Sequence, residues 1–316
     1  MIVLADGAEV SADAGERGDG GNIIAFSPGT SLFQSGANLS ATGGSEAGDG
    51  GFIEVSGLEK VEIFGQVNTS AAAGETGTFY IDPYDITISS AVSANGAFDA
   101  LDPNSWEGSG VGTSSTINNA AITAALASSD VTINTALDNG SGPGTGTGNI
   151  TIDDDIDLDG GNGNTLSLTA DGSISLAANV NIADASTVSA DAVGVNLTAG
   201  GNITLGSDAD IQTTGGISVV VAGGIFSAAS DASIDTQAGT LTVLAGGVQL
   251  AGSLLSVNAG PTAIVVNSGS TIVDDAAAGT DIIAVNGGLS ISAQTGIDLD
   301  IDARQLDITN AVSGAV

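Results

Sequence analysis

The feature that most constrains this chain is a motif that returns at nearly fixed intervals. "GDGGNIIAF" begins at Gly18, "GDGGFIEV" at Gly48 and "GETGTFYI" at Gly74, so the starts lie 30 and then 26 residues apart. Between them, "VSADAG" from Val10, "LSATGG" from Leu39 and "VNTSAA" from Val67 recur 29 and then 28 residues apart. Each copy is a short β run ending in small residues. A single unit has an apolar face and nothing to bury it against, and stacking copies removes that problem.

A second series occupies the C-terminal half. "LSLTADGSI" from Leu166, "VNLTAGGNI" from Val195, "SVVVAGGIF" from Ser218 and "LTVLAGGVQ" from Leu241 share apolar alternation, a turn and another β run. Ala170, Ala199, Ala222 and Ala245 mark the expected equivalent points, with Asn267 and Asn286 continuing the series. Short strands at this period, separated by glycine-rich turns, predict an all-β chain folded as a parallel β-helix, or solenoid. An antiparallel sandwich would also use many short strands, but its turns need not repeat one motif at coil spacing. The chain is 42% hydrophobic but only 3% aromatic, so the expected core is an aliphatic column.

The repeats divide the chain into coils over 1–89, an irregular insertion over 90–148 and further coils over 149–316. "GTFYIDPYDITIS" from Gly77 marks the first boundary, where Pro83 reads as a corner between strands. "SSTINNAAITAALASSD" predicts a short helical insertion near 114–128, capped by Ser114 or Ser115. Its inward residues would be Ile117, Ala121, Ala124 and Ala125, or Ile122 and Leu126. The aromatics at the boundary read first as filling for an irregular junction. The rival reading makes Tyr80, Tyr84 and Trp106 a sugar-stacking platform.

Composition removes several chemistries. Without Cys or His there is no thiol catalysis, no disulfide and no His-ligated metal. A net charge of −34 with three basic residues opposes binding to nucleic acid or to anionic membranes. No run reaches the ~18 apolar residues of a membrane span, so membrane insertion is not expected. The opening "MIVLA" is too short for a secretory signal. A lyase acting on acidic polysaccharide would need cations that this chain lacks. A neutral-glycan hydrolase needs two carboxylates, but with 29 Asp some pair always stands at a plausible distance. The chain therefore reads as a non-enzyme, with no cofactor beyond possible calcium.

Two acidic runs raise the calcium question. In "TIDDDIDLDGG", period-2 alternation places Ile152, Asp154, Ile156 and Leu158 on one strand face and Asp153, Asp155, Asp157 and Asp159 on the other. In "GIDLDID", Asp298, Asp300 and Asp302 alternate with Ile297, Leu299 and Ile301. Outward carboxylates in adjacent coils repel, and calcium would relieve that repulsion. The plainer reading is a solvated acidic face that keeps an apolar column soluble.

The run "GGFIEVSG…VEIFGQVNTSAAAGETGTFYIDPYDITI", followed by "STINNAAITAALASSDVTINT", resembles the filamentous-haemagglutinin-like large exoproteins of bacterial two-partner secretion. The resemblance covers about Gly18 to Thr151, and the later coils share only its style. It implies a right-handed parallel β-helix in the stalk of an adhesin, secreted by or displayed on a Gram-negative cell. The implied partners are an outer-membrane secretion partner and a host or neighbouring-cell receptor or glycan. Repeats run to both ends, so the chain reads as a segment of a larger protein. The expected work is adhesion or cell contact without catalysis. The alternatives are a self-associating extracellular filament or surface-layer subunit, stacked end to end with calcium, and a glycan-active β-helix.

Overall fold

The computed structural model describes residues 1–57, 60–82, 85–90, 97–98, 106–107, 115–135, 148–184, 192–274 and 280–310. The chain is a parallel β-solenoid. Most tiers place one short strand on each of three faces, and the next tier repeats the circuit above it; the strand Ile86–Ser89 is an additional member of the first face. Along the first face the strands from Ile2–Leu4 to Gly296–Asp298 form a 12-stranded parallel sheet. The second face begins as a three-stranded sheet, Glu9–Ser11, Asn38–Ser40 and Gln66–Asn68. Beyond its interruption that face resumes at Ile156–Asp157. The third face runs from Asn22–Ser27 upward. The 12-residue strand Ile282–Ala293 serves the second and third faces in one stretch, bending at a register shift between Ala284 and Gly288.

Alternation decides what fills the centre. Ile63, Ile117, Ile88, Ile152, Leu176 and Leu205 stand in one inward column of the first face. Val55, Ile81, Ile133, Leu168, Leu197 and Val219 form a matching column on the third. All are buried, and each contributes roughly 1.5–3 kcal/mol by leaving water. Phe33 is fully enclosed, and its ring fills the space that a side chain on Gly65 would need.

The corner between the first and second faces is one recurring turn. Ala8, Ala37, Val180, Ala209 and Ala232 each donate their backbone N–H to the carbonyl three residues earlier. The residue before each donor has positive φ: Gly7 (75°), Gly36 (85°), Asn179 (61°), Asp208 (56°) and Asp231 (61°). This is the pattern of a type II turn, which needs a residue tolerant of left-handed backbone at its third position. The repeated "GDGG" has a different cause. A Cβ on Gly50 would overlap the Thr69 carbonyl oxygen and the Gly77 nitrogen, so adjacent tiers approach there backbone to backbone.

Two sequence expectations need correction here. Ser115–Asn118 is a strand, and α1 spans only Asn119–Leu126, with Asn118 rather than a serine at its N-cap. Ala121, Ile122, Ala125 and Leu126 are buried, whereas Ala124 is exposed and Ile117 is buried from the strand. Part of the expected insertion is thus regular. Ser115–Asn118, α1 and Asp130–Asn134 supply the three faces of one tier, the helix standing where a second-face strand would be. The second correction concerns equivalence. Ala170 stacks on Ala199, but Ala199 stacks on Val221, and Asn267 on Ser292 rather than Asn286. Similar turns close after strands of unequal length, so motif alignment slips by a residue.

A helix inserted into a β stack leaves the sheet edges below and above it without ladder partners. Side chains fill that need. Ser128 Oγ donates to the Val67 carbonyl, and Ser129 Oγ accepts from the Thr69 N–H. Above, Asn119 Nδ2 donates to the Asp155 carbonyl and Thr123 Oγ1 to that of Asp157. Asn164 and Asn162 donate from the next tier to the last helix carbonyls, Leu126 and Ala127.

Candidate functional surfaces

The acidic runs do not lie on single strands. The strand Ile150–Ile152 ends on the first face and Ile156–Asp157 begins on the second, so Asp153, Asp154 and Asp155 form the corner between them. Asp154 therefore does not point inward with Ile152 and Ile156. Its Oδ2 accepts from the backbone N–H and hydroxyl of Ser90, and these bonds hold its carboxyl below the ordinary value. Asp153, Asp155, Asp157 and Asp159 are exposed, but on different walls. Asp155 Oδ1 accepts from the Asn181 N–H and Asp157 Oδ1 from the Asp159 N–H. The second run divides in the same way, between Gly296–Asp298 and Ile301–Asn310, with Asp300 in the corner. Among the described residues no three carboxylates stand close enough to hold a metal ion together.

Many acids and amides instead bind tier to tier. Asp19 accepts from the Asp49 N–H and Asp49 from the Glu75 N–H, one ladder through all three copies of the glycine motif. Asp85 accepts from Asn149, Asn149 from Ser173, Ser173 from Asn202 and Asn202 from Ile225. At Asp13 partial burial pushes the carboxyl up. Hydrogen bonds from the Ser40 hydroxyl, the Thr42 N–H and the Ser11 hydroxyl outweigh it, leaving the group at about 2. Asp281 goes the other way. Burial raises it, the Asp300 N–H offsets part of that, and Asp274, Asp300 and Asp298 raise it further.

Each outer wall carries acids, and each also has stretches without them. The second face carries the depression of about 260 Å³ lined by Asn181, Asp210, Gln212, Asp235 and Leu255, rich in carboxylate and amide. The first face instead presents Thr116, Thr87, Thr151, Ser175, Thr204 and Ser227 in one column. On the third face two outward columns rise together. One is Thr132, Ser167, Asn196, Ser218 and Thr242, and the other Asn134, Thr169, Thr198, Val220 and Leu244. Neither stretch contains a charged side chain. Sequence reasoning passed over these bands, although Thr, Ser and Asn at alternate positions between buried aliphatics are their signal.

The lower end of the third-face band gathers aromatic and apolar side chains around one carboxylate, Glu54, which stands between Tyr80 and Ile24. Tyr80 stands one tier below Thr132, and its hydroxyl accepts from Asn134 Nδ2 at 2.9 Å. Phe52 tilts against Tyr80 with ring centroids 6.1 Å apart. Ile24 and Phe26, in the first tier of the same wall, are 61% and 41% exposed, enough to meet a partner. Of the expected platform, Tyr80 is thus outward and paired with a ring that sequence reasoning did not choose. Tyr84 lies outside the described residues. Trp106 belongs to the two-residue strand Trp106–Glu107, which pairs antiparallel with Ala97–Phe98.

No family model matches the chain, and no curated protein matches it. No helix among the described residues is long and apolar enough to cross a membrane.

Proposed function

We propose that this chain is a rigid, non-catalytic stalk segment of a large surface exoprotein, and that it makes contact through the uncharged stretch of its third-face outer wall between Thr132 and Thr242. The carrying observation is the uncharged hydroxyl and amide column from Thr132 to Thr242, which Tyr80 and Phe52 bound below, with Glu54 and Asp130 at its margin. Such a band exchanges hydrogen bonds with neutral hydroxyl-rich matter at no cost in charge desolvation. The aromatic pair supplies apolar area at one end. Tier-to-tier ladders make the body stiff enough to carry that wall away from a cell.

Electron microscopy of the purified chain, with calcium and then with chelator, tests the stalk. Single rods about 50 Å long in both conditions support it, since each tier adds ~4.8 Å. Filaments that dissolve on chelation replace it with calcium-linked assembly. Beads bearing the chain test the contact wall. Replacing Thr132, Ser167 and Asn196 together by aspartate should abolish capture of neutral-glycan particles, and unchanged capture rejects this wall as the contact.

A further inference from the structure

The first face holds a strand out of order. The strand Lys60–Ile63 is followed upward by Ser115–Asn118, then Ile86–Ser89, then Ile150–Ile152. The Ser115 strand therefore occupies a place between two strands that both precede it in the chain. Its register sets Thr116 beside Glu62 and Ile117 beside Ile63, and the Ile86 strand repeats that pattern above, Thr87 beside Thr116 and Ile88 beside Ile117. "ITIS" and "STIN" are thus interchangeable by alternation. Set directly on the Lys60 strand, Ile86 and Ile88 would cover Val61 and Ile63 at least as well as Ser115 and Ile117 do.

The observed order is selected by side chains that arrive late. Ser115 Oγ accepts the buried Val61 N–H at 2.8 Å, an acceptor that Ile86 cannot offer. Asp85 Oδ1 accepts from the Asn149 N–H, and Asp154 Oδ2 accepts from the Ser90 N–H and hydroxyl. These last bonds tie the Ile86 strand to residues 64 positions further on. When the Ile86 strand is first available, the exposed edge it meets is that of the Lys60 strand. Open strand edges recruit whatever compatible strand arrives.

We propose that the Ile86 strand is laid first on the Lys60 strand, and is lifted one place when the Ser115 strand enters beneath it and the Ile150 strand closes from above. The fourth tier is then built by strand exchange, with Ser115, Asp85 and Asp154 making the exchange one-way.

The chain lacks cysteine, so paired cysteines read the order directly. Neighbouring parallel strands stand ~4.8 Å apart, within disulfide reach, and next-but-one strands do not. In the full chain, Glu62→Cys with Thr116→Cys reports the final order and Glu62→Cys with Thr87→Cys the early one. Both pairs share the Glu62→Cys change, so the loss of its ion pair with Lys60 affects them equally. Oxidation pulses during refolding from urea should trap the 62–87 disulfide first. Its yield should then fall at least about tenfold as the 62–116 disulfide rises. A 62–87 yield that never exceeds its native level at any delay, while 62–116 forms, overturns the proposal. Ser115→Ala should raise the final share of the 62–87 disulfide by about five- to a hundredfold, because a buried donor loses its acceptor. Ser175→Cys with Thr204→Cys, adjacent in distant tiers, reports in the same background that the remaining coils are folded. An unchanged 62–87 share with that distal pair formed removes Ser115 as the selector.

Discussion

The tiers before α1 and those after it turn the same corner with different residues. Gly7 and Gly36 serve below, and Asn179, Asp208 and Asp231 above, all with the left-handed backbone that the turn between the first and second faces requires. At Gly36 a Cβ would overlap only the end of the exposed Asp6 side chain, and at Gly7 it would meet nothing. Above α1, Asn or Asp takes the same conformation at modest cost. Tier closure thus dictates the backbone, and Gly, Asn and Asp each satisfy it. The corner between the second and third faces is strict on both sides of α1, since Gly50 and Gly77 below and Gly215 and Gly239 above all meet backbone.

That comparison can be broken most sharply at Gly50. Gly50→Ala should cost about 3 kcal/mol or more in urea unfolding, because neither the Thr69 carbonyl nor the Gly77 nitrogen can move alone. A loss below about 1 kcal/mol would show that the glycine stack relaxes freely. Next comes the boundary itself. Asn164→Ala leaves the buried Leu126 carbonyl without its donor and should cost about 1–3 kcal/mol. Asn196→Ala, on the exposed wall, should stay within about 0.5 kcal/mol. Equal losses at the two would mean that the helix ends find water instead.

Smaller effects separate the corner types. Asp208→Ala should cost about 1 kcal/mol through its positive φ, and Asp208→Gly a few tenths at most. Gly36→Ala should cost about as much as Asp208→Ala, because the exposed Asp6 side chain that a Cβ would meet can swing away. A much larger loss at Gly36 in thermal melts would show that Asp6 cannot yield.

Acid should distinguish the two ends most gently. Asp281 is raised in the folded state, so its burden on stability is present at neutral pH and is relieved as pH falls through that raised value. Asp13 is depressed to about 2 from 3.8, so its contribution is present above about 3.8 and lost between there and about 2. Melting midpoints should rise slightly on mild acidification and fall below pH 4. Asp281→Asn should flatten the rise and Asp13→Asn part of the fall. Unchanged profiles in both variants would assign the pH response to net charge and to Asp130, which burial also raises.

Much of this architecture was legible because repetition survives translation into tiers. The glycine motif, the alternating aliphatics and the helix segment each announced themselves. The acidic runs misled for a physical reason: "DDDIDLD" contains no Gly or Pro, yet Asp153–Asp155 turn a corner by binding Ser90 and Asn181 in other tiers. Alternation read through a corner assigns faces wrongly. The strand order around Ser115 was invisible for a different reason, since "ITIS" and "STIN" satisfy the same neighbours. The pairing of Phe52 with Tyr80 needed the tier spacing, which brings residues of different copies together.

The ladder arrangement has a mechanical consequence. The covalent chain runs around the rod while hydrogen bonds run along it, so tension on the axis loads those bonds in series and compression does not. A rod of this kind resists bending yet yields to a pull one loop at a time. Each released circuit of about 25 residues pays out roughly 80 Å of slack. Under shear flow, the molecule would lengthen by steps before any peptide bond bore the full load.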